Sequence, residues 1–371
     1  MLVYLLMVSF AVLFGLVIQP GRSLFHKKIY LVSVFGGIFL ISAGRSVSVG
    51  IDTLMHCAAY KSFSFVPFSN LVFFNSRFEV GFLIICRILG YITHNYQILI
   101  VFSSAIFCIC TCIFIYKFSD SSILSTVIFL CVMFPNYLNI MREAMAISIG
   151  MLAIIVLDKR KDCLFVFLGL LAATLHKSAL ILLILLPLSY LRVNSKTVGI
   201  FATCSLIIYI FIDQILQTIA HLTGRSIFYD ESFMGSNYSG ALAQFVFILL
   251  LVFLVFNYLK AGSRNRGMVE LNSMSPVIQW GLLLWLALTA FGMRIEIVTR
   301  FSYYFAPFVL IALPYALKNS SKMESVFIKG ALCFICIMYF VVIELYRPEW
   351  HGIVPYIFDF RNITNLIHGI M

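Results

Sequence analysis

Charge is what this sequence has least of. Asp, Glu, Lys and Arg make up 11% of its 371 residues, against about 25% in a soluble domain. A chain so poor in charge, and 62% hydrophobic, cannot cover a water-facing surface. That excludes a soluble enzyme, a disordered protein and a fibrous one. Short alternating strands are lacking, which excludes an outer-membrane barrel. There is no HExxH motif, no CxxC pair outside apolar runs and no aspartate-rich loop to argue for a metal. A phosphate loop and a dinucleotide fingerprint are missing too, and no cofactor is called for. Nucleic-acid modules and a solvated basic stripe are absent, so the net charge of +11 does not indicate nucleic acid. The ten cysteines form no framework. Most lie in apolar runs, where a thiol is small apolar filler, and only Cys57 and Cys86 fall in what reads as an outer segment.

Long apolar runs are what the chain has in abundance. Its mean hydropathy is +1.03, and runs of about 18 residues or more recur along its length. The expectation is an all-α polytopic integral membrane protein, a single transmembrane domain over residues 1–371 with about twelve transmembrane helices. The first runs from Leu2 to Ile18 and is read as a retained span, since no basic segment precedes it and no small-x-small cleavage site follows. The others are 29–44, 97–116, 121–136, 139–157, 163–175, 178–191, 197–219, 241–259, 276–292, 302–317 and 325–345. The stretch 77–93 is apolar but carries Arg77, Glu79 and Arg87. Reading it as an amphipathic segment on the outer surface puts Lys27, Lys28, Lys117, Lys159, Arg160, Lys161, Arg192, Lys196, Lys260, Arg264, Arg266, Lys318 and Lys322 on one side. That is the cytoplasmic side by the positive-inside rule. Both termini then lie outside. The outer face receives 45–96 with its interfacial helix, the turn at 136–141, His176-Lys177, the loop 220–240, 293–301 and the tail from Tyr346.

Several charges contradict that rule and need their own reason. Arg45, Asp52, Arg142, Glu143, His176, Lys177, Asp213, Arg225, Arg294, Glu296 and Arg300 sit at or just inside span ends on the outer side. A charge at mid-membrane costs roughly 2.5–3.5 kcal/mol on insertion scales, and near the interface it still calls for a partner or ligand. Arg142 opens an apolar helix, where a cation opposes the helix dipole unless it faces an anion. The plain alternative is an Arg142 that snorkels to headgroups or pairs with Glu143. His176 lies at a tight turn between spans, where an imidazole either takes a proton near neutral pH or only caps a helix end. Arg294 and Arg300 flank Glu296 and precede Tyr303 and Tyr304; a guanidinium fork suits phosphate, while the tyrosines also suit an interfacial belt. Glycines at 44 and 50 permit a turn that holds Arg45 and Asp52 at the membrane face, with Asp52 a candidate base or simply the ion partner of Arg45. Together these residues suit an anionic lipid, such as a lipid phosphate or diphosphate, better than a cation path.

At this point the residues resemble a family. Gly50-x-Asp52 followed by Tyr60 and Phe63, Glu79-x-Gly81-Phe82, Arg142-x-x-Met145-Ala146, His176-Lys-Ser-Ala179-Leu and Arg300-x-x-Tyr303 are similar, in order and spacing over about residues 40 to 310, to the EpsG-like branch of the Wzy-type O-antigen polymerases. A departure is Val80, where many members carry Pro after the acid. The resemblance implies a bacterial inner-membrane protein with its site facing the periplasm. It implies transfer of a glycan from undecaprenyl diphosphate to the non-reducing sugar of another lipid-linked repeat unit, with no nucleotide sugar and no metal. Its implied partners are the undecaprenyl-diphosphate-linked oligosaccharide, membrane lipid, a chain-length regulator and a flippase. On that reading Arg142, Arg294 and Arg300 hold the diphosphate, and His176 or Asp52 takes the acceptor proton. Arg45 and Glu143 orient the others, Lys177 joins the substrate contacts, and Tyr303 and Tyr304 stack on sugars. A flippase for lipid-linked oligosaccharide, a ligase-like or acyl-transferring membrane enzyme, and a scaffold are the competing classes. A flippase should show repeat symmetry and a charged central cavity, and neither is visible in the sequence.

Overall fold

The computed structural model describes residues 1–71, 77–223, 238–265, 274–319 and 321–370. Arg225 and most of the loop 220–240 lie outside the described residues. Among the described residues the chain is helical, with one isolated antiparallel bridge between Arg45 and Phe358 and no strand. It forms two compact units: Met1–Leu180 with Val326–Met371, and Ile181–Ser325.

In the first unit α1 (Leu2–Ile18) packs on α2 (Leu24–Ala43), which packs on α6 (Gln97–Phe118). Ser23 caps α2, its hydroxyl accepting from the His26 N–H. Between α2 and α6 lie α3 (Thr53–Phe63), α4 (Phe68–Leu71) and α5 (Val80–Gly90). The expected interfacial helix at 77–93 is thus the shorter α5, one of three helices in the 45–96 segment. The segments expected at 121–136 and 139–157 correspond to the span Ser122–Asn139 and to α9 (Met141–Asp158). The Ser122–Asn139 span joins α7 (Ser122–Ile128) to α8 (Phe134–Asn139) through a π-helical turn, Phe129–Met133. Pro135 explains the π turn: with no N–H and a ring that crowds the preceding turn, it cannot continue a regular ladder. α9 buries Ala144, Ala146, Ser148, Gly150 and Ala153, small residues that let α6 and α10 (Asp162–Leu175) approach closely. Its C-terminal turn reverses at Arg160, in the left-handed region with φ 57°.

That turn fixes the polarity of the unit. The α9–α10 hairpin puts Lys159, Arg160 and Lys161 at one end and Arg142 with His176 at the other. α2 does the same, with Lys27 in its first turn and Arg45 just past its end, about 30 Å away along 20 residues. Lys27 donates to the Ser119 carbonyl at 2.6 Å, tying two of the basic loops together. The opposite end gathers segments far apart in sequence. Ser46 donates to Ile357 O, Gly50 to Gly352 O and Asp359 to Gly44 O, all from the backbone. Asn139 accepts from the Asp52 N–H and donates to Trp350 O. The tail after α18 (Lys322–Tyr346) and α19 (Pro348–His351) is therefore strapped onto the 44–52 turn, ahead of α20 (Phe360–Ile370).

The 3-10 segment Lys177–Ile184, which runs on into α11 (Leu185–Leu188), carries the chain into the second unit at Ile181. The expected span 197–219 breaks into α12 (Ser195–Ile210) and α13 (Ile212–Thr223). α14 (Tyr238–Asn265) and α15 (Pro276–Gly292) follow. The expected span 302–317 is bent by 41° between α16 (Glu296–Ser302) and the helix Ala306–Ala316, whose last two turns are α17 (Val309–Ala316); Pro307 and Pro314 sit in the second half. Among the described residues five helices are long and apolar enough to cross a bilayer, or six if the bent pair is one span, and six shorter apolar helices accompany them. The chain is an all-helical membrane protein; the expected count of about twelve requires the shorter helices to cross as well.

Candidate functional site

The site in the first unit is built where α3, α5, α9 and α10 meet. Arg142, in the first turn of α9, is held on two edges and one face. Its Nη1 forms an ion pair with Glu79 Oε2, and its Nε donates to His56 Nε2 at 3.1 Å. Its guanidinium lies 4.8 Å from the Phe78 ring centre and 5.6 Å from that of Phe82. Glu79 precedes α5, and its other oxygen, Oε1, accepts from the Lys177 backbone N–H at 3.2 Å. Gly81 makes this approach possible: a Cβ there would lie 2.6 Å from the Thr174 carbonyl oxygen at the end of α10, too close for any other residue. One carboxylate thus joins an arginine 63 positions away to the turn that carries His176.

Arg142 and Glu79 are 13% and 11% exposed, so the pair is close to buried. The alternative partner, Glu143, sits instead inside the helix packing at 1% exposure. His176 is hydrogen-bonded through Nδ1 to the Ser178 hydroxyl. Lys177 is exposed and Asp52 half-buried. Arg45 is fully buried. Its guanidinium donates to Ser42 O at 2.6 Å, Ser104 Oγ at 3.1 Å and Leu138 O at 3.4 Å, so it satisfies carbonyls at the ends of α2 and α8. Arg45 thus braces the fold at these helix ends, and no ion pair joins it to Asp52. Cys57 and Cys86 are buried free thiols.

His56 was missed in the sequence because nothing marks it there. It is 2% exposed and packs edge-on against Phe82 with ring centres 5.8 Å apart. An arginine only donates, so His56 Nε2 must be the acceptor and its proton must sit on Nδ1. Burial first, then the charge of Arg142, hold it at about 3, far below its usual 6.5. The His176, Arg45 and Arg77 charges act in the same direction. The unfolded chain therefore binds a proton below pH 6.5 that the folded chain refuses. This contribution to stability is complete above pH 6.5 and is lost, by about 1.4 kcal/mol per pH unit, as pH falls from there towards 3. Melting curves of the wild type and His56→Gln between pH 7 and 5 test this. The wild type should lose stability more steeply, and parallel curves would remove His56 as the titrating group.

In the second unit Arg294 forms an ion pair with Asp213. It also donates to Tyr209 O at 2.9 Å and lies 5.5 Å from the Tyr209 ring centre. Arg300 and Glu296 are exposed and Tyr303 half-buried. Tyr304 is 1% exposed and packed inside the unit. Among the described residues no three His, Cys, Asp or Glu side chains come together to hold a metal ion.

No curated protein and no solved structure matches the chain. A family model does, that of the EpsG family, over residues 28–358. The match takes in most of α2, every helix from α3 to α19 and all of the Arg142–Glu79–His56 cluster, and by it the chain belongs to the EpsG family, among membrane proteins of polysaccharide biosynthesis.

Proposed function

We propose that this protein is a surface-polysaccharide polymerase. It moves a glycan from undecaprenyl diphosphate onto the non-reducing end of a second lipid-linked repeat unit, at the periplasmic face of the bacterial inner membrane. The observation that carries the reading is the α9–α10 hairpin, with the basic turn 159–161 at one end and Arg142, His176 and Lys177 at the other. Positive-inside bias assigns the basic turn to the cytoplasm, so the arginine cluster faces outward, where no nucleotide sugar is at hand.

The leaving group is a diphosphate, and its developing charge is the main barrier to transfer. Preorganised donors in a water-poor site lower that barrier, each charge-assisted bond contributing roughly 1.5–3 kcal/mol. Arg142 is such a donor, its plane fixed by His56 and two phenylalanine rings. Arg294 and Arg300 are proposed as the anion contacts of the second unit, and Tyr303 as a sugar contact. The acceptor hydroxyl loses its proton to His176 or Asp52, and attack in line with the departing diphosphate inverts the anomeric centre. His56 is not the base, since its Nε2 lone pair is engaged by Arg142. Phosphate exit carries the pair of electrons from the broken C–O bond, so no oxidant or cofactor enters the balance.

The test is purified protein with a defined lipid-linked repeat unit and no nucleotide sugar. Products with two or more units on one lipid are expected. Single units found only across the bilayer would indicate a flippase, and single units moved to another lipid a ligase; either would overturn the reading.

A further inference from the structure

Glu79 has no part in the chemistry above, yet it sits at its centre. Its two oxygens are held by different donors, Oε2 by the Arg142 guanidinium and Oε1 by the Lys177 backbone N–H. A guanidinium and a main-chain amide converging on two oxygens of one anion form the donor set that also grips a phosphoryl group. Both carboxylate oxygens are thus used, and a phosphoryl group presents oxygens to the same two donors.

Charge points the same way. With Glu79 in place the cluster holds a paired cation, and a phosphate arriving beside that carboxylate would bring like charges together. Without any anion, Arg142 would be a nearly buried charge lacking its counter-ion, which is strongly destabilising. An internal anion that leaves when the substrate anion arrives satisfies both conditions. We propose that Glu79 occupies the seat of a substrate phosphoryl group and is exchanged against it: the diphosphate takes Arg142 Nη1 and the Lys177 N–H, and the carboxylate swings away. This rests on the proposed function, because it takes the ligand to be a prenyl diphosphate.

The experiment is equilibrium binding of farnesyl diphosphate to the full-length protein in nanodiscs, comparing wild type with Glu79→Gln. The amide keeps the shape and removes the competing charge, so E79Q should bind about tenfold more tightly or better, equivalent to about 1.4 kcal/mol. Glu79→Asp serves if the glutamine variant does not fold. It keeps the charge but is one methylene too short to span both donors, and should bind more tightly than wild type by a smaller factor. Equal or weaker binding by the variant would make Glu79 a fixed brace of Arg142 and overturn the exchange while leaving the polymerase reading standing. Binding by E79Q alone, with none by wild type, supports the exchange. No binding by either protein overturns the exchange and the diphosphate reading together.

Discussion

Arg142→Ala should reduce chain extension by about a hundredfold to a thousandfold at equal amounts of folded protein, the range seen when one preorganised donor is removed from a transition state. The expectation has a second component that has to be separated from the first. Glu79 is 11% exposed, and truncating its partner leaves a nearly buried carboxylate with one backbone N–H, a loss of about 3–5 kcal/mol in stability. The single variant should therefore accumulate poorly as well as work poorly. The double variant Arg142→Ala/Glu79→Ala removes both charges and should regain much of the stability while staying inactive. Folded protein is read by fluorescence-detected gel filtration and activity by in vitro ladders. A double variant that extends chains at the wild-type rate would take Arg142 out of the site. Arg142→Lys should not rescue, because an ammonium cannot serve Glu79, His56 and the phenylalanine faces in the geometry of a planar fork.

Gly50→Ala is expected to be the most damaging small substitution. Gly50 has φ +93°, and a Cβ there would lie 2.5 Å from the Leu138 carbonyl oxygen and 2.6 Å from Thr53 Oγ1. The backbone conformation alone costs an L-residue about 1–3 kcal/mol. The nearest obstacle is main chain at the end of α8, which cannot rotate aside. The Gly50 N–H also donates to Gly352 O at 2.8 Å, so forcing this turn open unfastens the C-terminal strap. Asp52 and His56, on the first turns after it, would shift with α3. The variant should melt several degrees lower and lose chain extension together. Gly330→Ala is the control: nothing lies within 4 Å of a Cβ there, and inside α18 alanine favours the helix by about 1 kcal/mol. Equal melting temperatures for G50A and wild type would contradict the turn geometry.

The helices were legible because a bilayer imposes long apolar runs, and α1 and α15 end where the runs end. The breaks were not. Phe211 divides an unbroken apolar stretch, and the bend before Ala306 follows from local packing that periodicity does not encode. The π turn Phe129–Met133 ahead of Pro135 lies inside one expected span, and apolar periodicity does not encode it. The site was half legible. Arg142 and His176 declared themselves as charges in the wrong place for the positive-inside rule. Glu79 stood in the motif Glu79-x-Gly81-Phe82, and Gly81 beside it was the sign of a close approach, but a pairing across 63 residues has no linear trace. His56, 86 residues from Arg142, looked like any polar residue of a short helix. Arg45 and Tyr304 carried the right chemistry for a ligand and were drawn into the packing, since exposure depends on neighbours that only the fold supplies.

The most direct test of the account is photolabelling with an undecaprenyl diphosphate analogue bearing a diazirine next to the diphosphate, followed by peptide mapping of the protein in native-like membranes. Labels are predicted at the start of α9 around Arg142, in the 79–82 segment and at the 176–178 turn, and excess unlabelled lipid diphosphate should suppress them. Labels concentrated at the opposite end of the hairpin, around Lys159 to Lys161, would contradict it.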